Sequence, residues 1–64
     1  MSNDIDEIDS EKGPITLTEF RGPNEQMMQL TQNLDADHSP MFIQLSRNET
    51  AKLVLRLTKW LLGG

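Results

Sequence analysis

Residues 46–62 read as one helix with apolar side chains on two separate arcs, and this limits what the chain can be. Ser46-Arg47-Asn48-Glu49 fits a capping box. In that motif the Ser46 hydroxyl accepts from the Glu49 amide, and the Glu49 carboxylate reaches back to the Ser46 amide. Gly63 is the expected left-handed stop, so the pattern predicts a helix from about Arg47 to Leu62. At about 100° per residue, Leu53, Val54, Leu57, Trp60 and Leu61 share an arc of roughly 120°. That stripe is wide enough to cover one face of a small sheet. Leu55 and Leu62, with Ala51 beside them, fall about 140° from its centre. A helix lying on one small sheet cannot bury both arcs. Leu55 and Leu62 therefore stay exposed or meet another chain.

The sheet that the stripe would cover is legible upstream. Ile15-Thr16-Leu17-Thr18 alternates and is rich in β-branched residues, which is a strand signature. Gly22-Pro23-Asn24 supplies turn residues, and the alternating Gln26–Gln32 segment follows, so the two runs read as an antiparallel hairpin. A polar connector ending at Pro40 leads to a third alternating run, Met41 to Ser46. The expected fold is α+β: a three-stranded antiparallel β-meander followed by one C-terminal α-helix packed on the sheet, over residues 14–64. By parity Ile15, Leu17, Met28, Leu30, Met41, Ile43 and Leu45 share one sheet face. Phe20, Met27 and Phe42 belong to the other, which a single helix leaves uncovered. A second copy or a partner protein covering that face is the expectation.

Residues 1–13 read differently. Asp4, Asp6, Glu7, Asp9 and Glu11 stand against Lys12 alone, so the whole net charge of −4 sits there; residues 13–64 balance five acids against five bases. With two isolated isoleucines among polar residues, this segment reads as a disordered acidic tail. Lys52, Arg56 and Lys59 form a basic strip along the helix flank. Like charges at this spacing repel by a few tenths of a kcal/mol per pair. An acidic partner, phosphates or the chain's own tail would relieve that repulsion, and the strip is the candidate anion-binding surface.

Sixty-four residues make one domain, and at this size a core supplies only ~3–5 kcal/mol. With no cysteine there is neither a disulfide nor a thiolate metal site, which leaves oligomerisation as the staple. A homo-oligomer, a dimer first, is expected. No apolar run is long enough to span a membrane. The acidic N-terminus does not look like a secretory signal, so a cytoplasmic location is expected.

No constellation points to catalysis. Asp35, Asp37 and His38 lie close together, but the stretch lacks the glycine and distant glutamate of a calcium loop, and it reads as a polar connector. Ser39 or Ser46 beside His38 would make a triad only on paper, since Ser46 is better explained as a helix cap. There is no phosphate-binding glycine loop, and no cofactor or metal is expected. The reading is a non-enzymatic, self-associating interaction module with Leu55, Leu62, Phe20, Met27 and Phe42 at its interfaces. Two alternatives stay open. One is nucleic-acid binding through Arg47 and the basic strip with Phe20 or Phe42 stacking on bases, which the acidic surplus opposes. The other is sequestration of a phosphate-containing small ligand at a subunit interface.

Two resemblances bear on this. Leu61-Leu62-Gly63-Gly64 resembles the tails of ubiquitin-like modifiers and sulfur carriers. Those families place the glycines after a strand, whereas here a capped helix runs into Gly63, so a helix stop is the better reading. "FRGP", "QLTQ" and "IQLSRNE", within residues 15–62, look like small accessory proteins of phage and prophage genomes. That resemblance implies a partner in the host, bound so as to block or sequester it, and transfers no site residue.

Overall fold

The computed structural model describes residues 2–34 and 39–63. It is an α+β fold, a four-stranded antiparallel sheet followed by one helix. The strands are β1 (Ser2–Ile8), β2 (Ile15–Arg21), β3 (Gln26–Gln32) and β4 (Met41–Leu45), and the helix is α1 (Arg47–Leu61). The strands lie in sequence order, β1-β2-β3-β4.

The hairpin forms where the turn residues place it. Arg21 pairs with Gln26, and the Gly22 amide donates to the Glu25 carbonyl at 2.8 Å to close the loop. Leu17 faces Leu30 and Phe20 faces Met27, while Leu30 also faces Ile43 and Met28 faces Leu45. Directly opposed residues share a face. The register therefore gathers Ile15, Leu17, Met28, Leu30, Met41, Ile43 and Leu45 on one side, as their alternation predicts.

Two expectations need correcting. The sheet has four strands rather than three, because Ser2–Ile8, expected to lie within a disordered tail, pairs with β2. An edge strand is held by its backbone ladder and needs little apolar burial of its own, which is why composition misleads here. The register slips between Asp4 and Asp6, a bulge that leaves Ile5 without a partner. The bulge turns Ile8 to face Ile15, adding it to the apolar side. Asp4 accepts a 2.7 Å hydrogen bond from the Thr18 hydroxyl on the other side. Charges and a bulge are common ways to blunt a sheet edge.

The second correction concerns the helix, which does not lie over the sheet. It approaches only β3 and β4, and none of its residues is buried. Only Thr50 and Leu53 are partly covered, and every residue from Val54 to Leu61 is exposed. The cause is the joint. Leu45 ends β4, Ser46 is the N-cap in an extended conformation, and Arg47 begins the helix. Connections that let an element turn back usually take about 2–6 residues. The Arg47 amide also donates to the Glu25 carboxylate at 3.0 Å, tying the helix start to the β2–β3 turn. A one-residue joint held in this way leaves no slack for the helix to swing back over its own sheet.

The connection from β1 to β2 rests on Gly13. Its φ is +137°, and a Cβ there would overlap the Asn33 carbonyl oxygen. Its own carbonyl accepts from the Gln32 side chain at 3.1 Å. Gly13→Ala should therefore cost at least about 1–3 kcal/mol, through both strain and collision. A thermal melt checks this, with a fall of about 4–8 °C expected per kcal/mol.

Candidate interaction surfaces

The helix start matches its sequence signature atom for atom. The Glu49 amide donates to the Ser46 hydroxyl at 3.1 Å, and the Ser46 amide donates to the Glu49 carboxylate at 2.9 Å. Donation from the Ser46 backbone amide, reinforced by the Ser46 hydroxyl, holds the Glu49 carboxyl below its ordinary value of 4.5, with a smaller contribution from Lys52. A depressed carboxyl stabilises the fold above the unfolded-state pKa, and that contribution is lost as pH falls through the folded-state value. Acidification below pH 4.5 should thus fray the first turn of α1, seen as an upfield-moving Ser46 amide resonance. Glu49→Gln retains the hydrogen-bonding geometry and should remove that pH dependence.

At the other end, Gly63 has φ +82° and its amide donates to the Trp60 carbonyl at 3.1 Å. This is the left-handed stop the sequence predicts, and it supports the helix-stop reading of Gly63. Ser46 is committed to the cap. Asp35, Asp37 and His38 lie outside the described residues, as does Gly64.

The main stripe of the helix is open from Val54 to Leu61, with Leu53 partly covered. Leu57 is 51%, Trp60 71% and Leu61 74% exposed. Leu55 and Leu62, on the second arc, are comparably open at 70% and 82%. The margins of the sheet's apolar side are also open, with Met41, Ile43 and Ile8 all more than half exposed. A shallow hollow of about 230 Å³ lies beside Ile15, Leu30, Met41 and Ile43. A larger cleft of about 480 Å³ opens at the elbow between sheet and helix, lined in part by Glu19, Met28, Arg47, Thr50 and Ala51. Among the described residues no apolar side chain is fully buried, although Ile15, Leu17, Met28, Leu30 and Leu45 are partly covered.

The opposite side of the sheet is less apolar than its three large residues imply. Phe20 and Met27 are directly paired at one end, but Phe42 faces Thr31 toward the other. Between them runs a polar row: the Gln44 amide donates to Gln29 at 3.0 Å, and the Gln29 amide to Thr31 at 3.0 Å. The structure therefore does not bring Phe42 together with Phe20 and Met27. Two phenylalanines so placed make a poor stacking platform for bases.

Lys52, Arg56 and Lys59 are all exposed on α1, and the Arg56 guanidinium donates back to the Lys52 carbonyl at 3.2 Å. The acidic β1 is the sheet edge farthest from β4, so within one chain it lies across the sheet from the helix and is engaged with β2. Glu25 is the residue that sequence reading missed. Its role in fixing the helix start depends on a long-range contact that no local pattern encodes.

Among the described residues, no group of three or more metal-ligating side chains comes together, and no helix is long and apolar enough to cross a membrane. No family model matches this chain, and no curated protein or solved structure does either.

Proposed function

We propose that this chain acts by binding rather than by catalysis, as a self-associating module whose assembled surface docks another protein. One observation carries the reading. Eleven large apolar side chains are more than 45% exposed, while the described residues bury none fully. A folded chain of 7.3 kDa ordinarily exposes about 4,200 Å². This one exposes 5429 Å². Its Cα radius of gyration is 13.2 Å, against about 10.7 Å for a compact chain of this length. A lone copy is too open to hold itself together at this size.

Self-association draws on the larger stripe, Leu53 to Leu61, because that stripe offers the most apolar area. The second arc, Leu55 and Leu62, then remains outward beside Lys52, Arg56 and Lys59. An apolar arc left outward by the assembly suits an apolar patch on a protein partner, in keeping with an accessory protein that blocks a host target.

Trp60 tests the reading, since it is the single tryptophan and lies on the main stripe. At micromolar concentration its emission should be blue-shifted, moving red on dilution as the assembly dissociates. Emission of a fully hydrated indole at every concentration, with the chain still folded, would contradict it. Binding of a labelled oligonucleotide with steep salt dependence would instead favour the nucleic-acid alternative.

A further inference from the structure

We infer that two copies pair by laying the helix of each across the apolar side of the other's sheet. This rests on the self-association proposed above and specifies which surfaces meet.

Three features of one chain point to this exchange. First, the helix stripe and the sheet face are matched in kind and in size. Fifteen residues of α1 span about 22 Å, and seven-residue strands span about 23 Å. The stripe beyond Leu53 and the Ile8, Met41 and Ile43 margins of the face are open, and the one-residue joint at Ser46, held through Arg47 and Glu25, keeps the helix beyond Leu53 away from its own sheet. An element that cannot close on its own domain through a short, held hinge is a natural candidate for exchange with an identical copy.

Second, the area fits. The surface in excess of a compact chain is about 1,200 Å² per copy, or roughly 2,500 Å² for a pair, which falls within the range of obligate homodimers.

Third, the charges are complementary. Ser2–Ile8 carries Asp4, Asp6 and Glu7 and no base, while Arg47–Leu61 carries Arg47, Lys52, Arg56 and Lys59 against Glu49 alone. The basic helix of one copy crossing the other's sheet brings its flank toward the acidic edge β1, where Asp6 shares the apolar face with Leu17. Asp6 is the β1 acid on that face, since Asp4 and Glu7 pair with Thr18 and Thr16 on the other side, so the exchange sets Asp6 near the like-charge strip of α1.

The test uses the unaltered chain. Carbon-13-labelled and unlabelled copies are mixed, unfolded and refolded together, and isotope-filtered NOEs then report only contacts between copies. The expected result is cross-copy NOEs from the Leu57 methyls and the Trp60 ring to the methyls of Leu17, Leu30 and Ile43. If the mass is that of a pair but the cross-copy NOEs join only helix to helix, or β4 to β4, the exchange is overturned while self-association stands. Helix-to-sheet NOEs confined to one chain would overturn it equally. A monomeric mass would remove both proposals.

Discussion

Leu57→Glu should convert this chain from a folded assembly into a largely unfolded monomer. Leu57 lies at the middle of the main helix stripe, and in a lone copy it is half exposed. A substitution at so open a surface site ordinarily changes stability by no more than about 0.5 kcal/mol. Glutamate is also a good helix former, so the helix itself has no reason to object. The large effect arises only if Leu57 is covered by a second copy. Even neutral truncation of a buried leucine costs about 2–5 kcal/mol, and a carboxylate without a partner costs more. A chain this short has only ~3–5 kcal/mol to lose. Circular dichroism and solution mass read the outcome together. Leu55→Glu is the matched control: the same chemistry on the outward arc should leave both readouts unchanged.

The second large effect is on thermal stability as a function of concentration. When folding and pairing are one event, mass action ties the melting temperature to the amount of chain present. A tenfold rise in concentration is worth about 1.4 kcal/mol per pair. With an unfolding entropy of about 2 cal/mol/K per residue over two chains, the midpoint should rise on the order of 5 °C per tenfold. A self-sufficient monomer would melt at the same temperature throughout.

These expectations also mark where the amino-acid pattern was enough and where it was not. The hairpin, the third of the sequence-read strands, the capping box at Ser46 and the stop at Gly63 were legible because each depends on residues near one another in the chain. Alternation set the faces of the sheet, and the register keeps Leu17, Leu30 and Ile43 in one row. β1 was missed because its place depends on β2 offering a free edge, not on its own apolar content. Its bulge at Ile5, which brings Ile8 to the apolar side, has no local signature.

The helix position was the larger miss. An amphipathic helix after a sheet with one apolar face invites the inference that the two pack within one chain. Stripe and face are complementary, but nothing in their periodicity specifies that they belong to the same copy. The information lies in the joint, where a single residue separates β4 from α1 and Glu25 receives the Arg47 amide. The candidate surfaces shifted accordingly. Phe42 is separated from Phe20 and Met27 by the Gln29–Gln44 row, while the main stripe, expected to be hidden, is open beyond Leu53.

Multi-angle light scattering on the unaltered chain at micromolar concentration, with circular dichroism on the same sample, tests the central claim most directly. The claim predicts strand and helix signals together with a mass of about twice 7.3 kDa or a higher multiple. A cooperatively folded species of 7.3 kDa would contradict it.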